Sequence, residues 1–210
     1  MKNLQQAVEG YDYCITNLAQ KLNIYICANL SPYRYDHSLT VAKISLELGK
    51  RENLPKHTLQ KLLLAALAHD ITKEKPVKFH MDIFKKYRVL RYLKLPPTIY
   101  HAKSAPYYIQ EQFKIKNDEI AHAIFFHSTG CKNMPLFSRI IFSADYLASL
   151  KLNINDSIFS KSTAELCFDK NNATLNHLLS KKMPVQPDSV NFYNILLQEL
   201  AHGKKIANLR

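Results

Sequence analysis

The sequence predicts an all-α fold. Its 210 residues include only four glycines, and Ala, Leu and Lys, which favour helices, are abundant. Apolar residues recur at steps of three or four along much of the chain, and no segment keeps the period of two that indicates a half-buried strand. A chain of this length can form one well-buried core. We therefore predict a single helical bundle.

The apolar periodicity gives the order of the helices. Ser31-Pro32 ends or turns the first helix, and Pro55 suits the first turn of the third. Residues 71–96 are mixed and basic, which predicts a loop with a short helix. Asn117-Asp118 is a helix start signal. Helices are predicted at about 3–29, 33–51, 56–70, 98–114, 118–127, 135–150, 159–182 and 188–207.

We divide this fold into three parts. Residues 1–30 form an N-terminal amphipathic helix, residues 31–150 form the core, and residues 151–210 add C-terminal helices to the same domain. No signal peptide is apparent, and no apolar run approaches the roughly 20 residues that a membrane helix needs. The four cysteines lie far apart without a CxxC pair, so we expect buried free thiols in a reducing cytoplasm and no zinc ribbon.

The chain is strongly basic, with a formal net charge of +12. Such a balance favours polyanionic partners, which include nucleotides and nucleic acid. The lysines are scattered along the chain, so the charge is weak evidence by itself. Only Lys85-Lys86-Tyr87-Arg88 with Arg91-Tyr92 combines basic and aromatic residues as a nucleic-acid site would. The sequence therefore does not favour nucleic acid as the partner.

Six histidines and aspartates in five short motifs are candidate metal ligands. Neutral imidazoles and carboxylates bind borderline divalent metals such as iron or manganese. Residues seven apart on a helix lie within about 20° of each other; His37 is seven before Ile44, and His69 is seven after Leu62, so both face inward. The six candidates are His37, His69, Asp70, His101, His127 and Asp145.

The two aspartates strengthen the case for a metal. Burying an unpaired carboxylate costs several kcal/mol, so Asp70 and Asp145 on inward faces indicate compensating partners. A bound cation would supply that compensation. Taken alone, Asp70 could equally cap a helix, and His101 could lie on the rim of the fold. The other histidines are expected to face solvent: His57, His80, His122, His177 and His202.

These motifs resemble those of the HD-domain phosphohydrolase superfamily, and within it the YqeK family of symmetrical bis(5′-nucleosyl)-tetraphosphatases. The resemblance covers about residues 30–150. The matching segments are Arg34-Tyr35-Asp36-His37-Ser38, Ala68-His69-Asp70-Ile71-Thr72-Lys73-Glu74, Tyr100-His101-Ala102, His127-Ser128-Thr129-Gly130 and Phe142-Ser143-Ala144-Asp145-Tyr146.

The resemblance implies an all-α fold, a di-iron centre and cleavage of diadenosine tetraphosphate into two ADP. It implies that one metal is held by four residues, His37, His69, Asp70 and Asp145. It implies that the second is held by Asp70, His101 and His127, with Asp70 as the bridge. Manganese is the alternative metal.

The resemblance also implies substrate contacts. Lys73 would contact phosphate as a catalytic cation together with Asp70, and Thr129-Gly130 would shape the nucleotide pocket. The residues themselves, apart from the resemblance, add Arg34 and Lys103 as alternative cations after Lys73 to hold the leaving group, whereas Lys75 is expected to matter little. The chain departs from the family pattern beside two ligands, with Leu147-Ala148-Ser149-Leu150 after Asp145 and Ala102-Lys103-Ser104-Ala105 after His101.

Two other functions stay open on the sequence. The chain could be another HD hydrolase, acting on a guanosine alarmone or a nucleoside monophosphate. It could also be a degenerate HD domain that binds nucleotide or RNA as a regulator, although the retained His69-Asp70 pair argues against that. The sequence leaves open whether the chain forms a homodimer.

Overall fold

Nine α-helices make up most of the part of the chain that the structure, a computed structural model, describes: residues 13–150 and 156–207. Short 3₁₀ turns lie at Leu90–Lys94, Pro97–Ile99 and Ser157–Ser160, and these two ranges contain no strand. The all-α prediction is confirmed. The helices are α1 Tyr13–Asn29, α2 Pro32–Arg51, α3 Lys56–Ala68, α4 Val77–Lys86, α5 Tyr100–Phe113, α6 Asp118–Phe126, α7 Leu136–Ser149, α8 Thr163–Ser180 and α9 Pro187–Ala207.

Helix α3 lies at the centre of the bundle. It packs against α1, α2 and α6, and α2 packs in turn against α7. Every residue from Leu62 to Ala68 is buried, because this helix presents apolar side chains on all sides. A helix that is surrounded in this way carries the residues that follow its end, His69 and Asp70, into the protein interior.

The outer helices extend the same bundle. Helix α1 packs on α3, α8 packs on α7, and α9 packs on α8. The predicted first helix began at residue 3, but residues 1–12 lie outside the described residues. The division of the chain at residues 30 and 150 stays a prediction.

The basic segment 71–96 forms a short helix, as predicted. Helix α4 and the 3₁₀ turn that follows it pack on α5 through a separate apolar cluster. Its buried members are Ile83, Phe84 and Tyr100. This cluster fixes the segment beside the first turn of α5, where His101 lies.

The cysteine prediction is partly wrong. Cys131 and Cys167 are buried free thiols, as expected, but Cys27 is exposed because it lies on the outer face of α1. The side chain of Cys14 lies outside the described residues. None of the helices described here has both the length and the apolar character that crossing a bilayer requires.

Candidate metal centre

The structure brings all six predicted ligands into one cluster inside the bundle. They come from five parts of the chain: α2, the turn after α3, the first turn of α5, the end of α6, and α7. All but one are buried, and Asp145 is half-buried. The six residues are His37, His69, Asp70, His101, His127 and Asp145. Their roles as ligands remain proposals.

Two of the histidines are oriented by the same kind of hydrogen bond to the preceding helix. His69 directly follows the last residue of α3, and His127 directly follows the last residue of α6. Each Nδ1 lies 2.7 Å from a backbone oxygen three residues earlier, that of Ala66 or Ile124. A carbonyl can only accept, so Nδ1 carries the proton and donates it. In the neutral ring, each Nε2 therefore carries a lone pair, which is the form that binds metal.

The ligand atoms of Asp70, His101 and His127 form a compact triangle. Asp70 Oδ1 lies 3.3 Å from His101 Nε2 and 3.4 Å from His127 Nε2, and the two nitrogens are 3.2 Å apart. Two atoms that each lie about 2.1 Å from one ion are about 3.0 Å apart at 90° and about 3.4 Å apart at the tetrahedral angle. The triangle has the size that one divalent ion requires.

Asp70 belongs to two groups of ligand atoms. The atoms of His37, His69 and Asp70 lie within 4.8 Å of one another, and so do those of Asp70, His101 and His127. His69 Nε2 and Asp70 Oδ1 are buried and have no hydrogen-bond partner among the described residues. Since a buried polar atom without a partner is costly, these two atoms indicate that a divalent cation fits here.

Asp145 completes the first group. Its Oδ1 lies 3.0 Å from His37 Nε2 and 3.7 Å from His69 Nε2. Its other oxygen, Oδ2, accepts a hydrogen bond of 2.6 Å from Lys170. Burial by itself would raise the pKa of Asp145, but the Lys170 charge and the neighbouring imidazoles of His37 and His69 hold it well below its ordinary value. Asp145 is therefore a carboxylate at neutral pH.

The charges in the cluster favour the metal-binding forms of Asp70, His101 and His127. Burial would raise the pKa of Asp70, but the neighbouring imidazoles and Lys73 hold it well below the ordinary value. Burial lowers the pKa of His101 far below its ordinary value and lowers that of His127, so both are neutral at pH 7. Burial also opposes protonation of His69, yet the nearby carboxylates raise its pKa.

Two predicted cations also lie at the cluster. Arg34 donates to Asp70 Oδ2 at 3.1 Å, and Lys73 Nζ lies 3.1 Å from His101 Nε2. Burial lowers the pKa of the Lys73 ammonium. Positive groups placed here suit an anionic ligand such as a phosphate.

A cavity of about 380 Å³ opens beside Lys73. Lys75, which was expected to matter little, also lines this cavity. His80 was expected to face solvent but is buried in the cavity wall, with Nδ1 2.7 Å from Ser104 Oγ. The lining residues are Lys73, Lys75, Val77, His80, Pro97, Thr98 and His101.

The structure does not bring Lys103 to the cluster. Its side chain is buried on another face of α5, and its Nζ donates to the backbone oxygen of Phe125 at 2.9 Å. The ammonium lies 3.8 Å from the Phe125 ring centroid and 4.7 Å from that of Phe126. The expected contact between Lys103 and the leaving group is corrected accordingly, because this lysine faces aromatic rings.

Among the described residues, Thr129 and Gly130 make no hydrogen bond to the six predicted ligands, and their expected place in a nucleotide pocket stays a prediction. The Thr129 carbonyl accepts a 2.8 Å hydrogen bond from Ser189. Gly130 has a positive φ of 65°, and a Cβ there would lie 2.2 Å from Phe192 Cδ1. The two residues turn the chain after α6 and seat it against α9.

Two further polar residues at the cluster were missed by sequence reasoning. Ser128 Oγ lies 3.2 Å from His101 Nε2 and 3.1 Å from His127 Nε2; its place beside His127 was a usable signal. Lys170, on α8, contacts Asp145 but belongs to no motif. His122, expected in solvent, is half-buried, and its Nδ1 lies 2.8 Å from Ser138 Oγ.

Comparisons with known proteins agree with this geometry. The family model described as HD domain matches residues 34–150. A protein of Halalkalibacterium halodurans named symmetrical bis(5′-nucleosyl)-tetraphosphatase is 30% identical over 185 residues, which covers 81% of this chain and 92% of the relative. A Bacillus subtilis protein of the same name is 26% identical over 173 residues, and this match covers 80% of this chain and 91% of the relative.

A solved structure shares the fold. It is the crystal structure of a predicted HD superfamily hydrolase involved in NAD metabolism from Clostridium acetobutylicum. The two structures align with a TM-score of 0.74 at 22% identity, over 86% of this chain and 97% of the other. On these similarities, the chain is a hydrolase of the HD domain family, in the group that includes the symmetrical bis(5′-nucleosyl)-tetraphosphatases.

Proposed function

We propose that this chain cleaves diadenosine tetraphosphate symmetrically into two ADP, with two divalent metal ions. The observation that carries the proposal is Asp70, whose carboxylate is shared by two groups of ligand atoms. The names of the relatives support the substrate. We infer iron as the metal, with manganese as the alternative, and a location in the cytoplasm.

The proposed centre divides the ligands between two ions. His37, His69, Asp70 and Asp145 would hold one ion, and Asp70, His101 and His127 would hold the other. When bound, such a pair neutralises phosphoryl oxygens and supplies hydroxide near neutral pH. The Nδ1 hydrogen bonds of His69 and His127 keep the lone pairs of Nε2 directed inward for this purpose.

The cationic side chains would act on the substrate itself. Lys73 stands between the cluster and the cavity, so its ammonium can contact a phosphate whose chain continues into the cavity. Negative charge grows on the leaving diphosphate as the bond breaks, and a fixed cation stabilises it in a partly desolvated site. Arg34 orients Asp70 through its Oδ2 and offers a second positive group.

The experiment is product analysis with protein purified without oxygen. Metal content is measured first, and diadenosine tetraphosphate is then incubated with the protein and the nucleotides are separated. We expect two ADP for each substrate consumed and loss of activity after chelation, restored by Fe²⁺ or Mn²⁺. Equal amounts of AMP and ATP would contradict symmetrical cleavage, and no hydrolysis with any divalent metal would overturn the proposal.

Two aspartate variants serve as the control pair. Asp70→Ala is expected to lose both metal and hydrolysis, because both ligand groups need this carboxylate. Asp82→Ala removes an exposed carboxylate on α4 that pairs with Lys78, and it is expected to keep both. Normal metal content and rate in Asp70→Ala would show that the centre is elsewhere.

A further inference from the structure

The side chain of Lys170 reaches the cluster from α8. Its Nζ donates to Asp145 Oδ2 at 2.6 Å, to the backbone oxygen of His127 at 2.8 Å, and to that of Phe142 at 2.9 Å. These three acceptors use all three N–H groups of an ammonium. The side chain is 8% exposed, and Nζ lies 4.1 Å from the Phe142 ring centroid.

The bond to Asp145 determines how that carboxylate faces the ligands. With Oδ2 held by Lys170, Oδ1 is directed to His37 and His69, at 3.0 and 3.7 Å from their Nε2 atoms. The last torsion of an aspartate has broad minima, so the carboxylate would otherwise rotate. Lys170 thereby fixes one oxygen of Asp145 toward the first group of ligands.

The hydrogen bond from Lys170 to the backbone oxygen of His127 acts on the second group of ligands, which is Asp70, His101 and His127. His127 follows the end of α6, where backbone carbonyls lack partners within the helix and a cation is favourable. Lys170 holds the backbone oxygen of His127, and the Ile124 carbonyl holds its imidazole. Both ends of the residue are therefore fixed.

We propose that Lys170 is a positioning residue that holds Asp145 and His127, one ligand of each group, in the arrangement that binds metal. The inference rests on the proposed metal centre and is independent of the nucleotide substrate. A purely structural role for the lysine would be to join α6, α7 and α8. The two roles differ in what they predict for metal affinity when stability is matched.

Lys103 provides the matched control. It is buried to a similar degree, donates to a backbone oxygen near the end of the same helix α6, and lies over phenylalanine rings. Among the described residues, Lys103 makes no hydrogen bond or ion pair with any of the six predicted ligands. Replacing it removes a buried ammonium of the same kind without touching the centre.

The experiment titrates metal into chelator-treated protein. Mn²⁺ binding is followed by calorimetry for the wild type, Lys170→Met and Lys103→Met, with helix content checked by circular dichroism. We expect Lys170→Met to weaken Mn²⁺ binding about 10- to 100-fold, the range for losing a group that orients a ligand. Lys103→Met should lose stability but stay within about twofold in affinity. Wild-type affinity in Lys170→Met, or equal weakening in both variants, would overturn the proposal.

A second variant keeps the test decisive if Lys170→Met does not fold. Lys170→Gln retains amide N–H donors for the carbonyls, but its shorter, neutral side chain cannot serve all three acceptors. The same weakening of Mn²⁺ binding is expected, and unchanged affinity in the folded glutamine variant would overturn the proposal. Absence of Mn²⁺ binding in the wild type would instead count against the proposed metal centre.

Discussion

The carboxylate of Glu74 accepts hydrogen bonds from both the backbone nitrogen and the hydroxyl of Ser31, at 2.7 and 2.6 Å. Ser31 is the N-cap of α2, and its hydroxyl also accepts from the Arg34 backbone nitrogen at 3.4 Å. The pair ties the turn after Asp70 to the start of the helix that carries His37. It also places a negative charge at the positive end of that helix.

This contact predicts the effect of Glu74→Ala. The variant should lower the free energy of unfolding by about 1 kcal/mol, the upper end of the range for losing a carboxylate at the positive end of a helix. Urea denaturation of metal-free protein measures the loss. Glu47→Ala, which removes an exposed carboxylate from α2, should stay within about 0.5 kcal/mol of the wild type. Equal losses in the two variants would contradict a specific role for the Glu74–Ser31 contact.

The second prediction concerns the number of metal ions. His127→Ala should lose one of two ions per chain while the other remains, because His127 lies beside Asp70 Oδ1 and belongs to one ligand group only. Metal analysis of anaerobically purified protein gives the ratio.

His122→Ala is the control for that prediction. His122 lies on α6, the helix that ends just before His127, and it faces Ser138 and Cys131 instead of the cluster. The variant should keep both ions. If His127→Ala retains the wild-type ratio, or if His122→Ala loses an ion equally, the binuclear assignment fails.

The third prediction compares three lysines of one segment. Lys73→Met should reduce turnover by roughly 100-fold or more with metal content intact, the scale for losing one group that stabilises developing charge. Lys75→Met, which changes a residue that lines the cavity, should raise KM more than it lowers kcat.

Lys78→Met completes this series. The Lys78 side chain is 83% exposed and pairs with Asp82, so its loss should leave both constants near wild type. Steady-state rates with diadenosine tetraphosphate measure all three variants. Equal, small effects at all three positions would place Lys73 and Lys75 outside the substrate path.

Apolar periodicity was sufficient to predict the helices. Leu62, Leu63 and Ala66 lie on α3 where a buried stripe was expected, and all are fully buried. Inward-facing positions also placed the candidate ligands correctly within the fold, because a helix residue seven from a core residue shares its face. These signals come from residues that are close in sequence, so a single sequence is sufficient to show them.

The positions that sequence reasoning could not derive depend on contacts between distant segments. Lys103 follows His101 by two positions, which is about 200° around a helix, so a shared motif did not mean a shared direction. The path of Thr129 and Gly130 is set by Ser189 and Phe192 of α9. Such contacts leave no pattern near the residues that they orient, and the same holds for Lys170.

The last prediction uses pH and the buried Lys103. Burial lowers the pKa of this lysine to about 8, although Asp188 and Cys131 act in the opposite direction. In the unfolded chain its pKa is about 10.4. Between these two values the unfolded chain binds a proton that the folded chain lacks, so the contribution of Lys103 to stability increases as pH rises.

Lys103→Met removes the titrating lysine, so the difference in stability between the wild type and the variant reports the contribution of Lys103. The free energy of unfolding of the wild type, relative to Lys103→Met, should rise by about 1 kcal/mol between pH 7 and pH 9. Burial also raises the pKa of the Cys131 and Cys167 thiols to about 11, which lowers stability above about pH 9, but both proteins share this effect and the difference largely cancels it. Urea denaturation at the two pH values measures the difference. A difference that stays constant or falls with pH would mean that Lys103 keeps its proton in the folded protein, as a solvated lysine does.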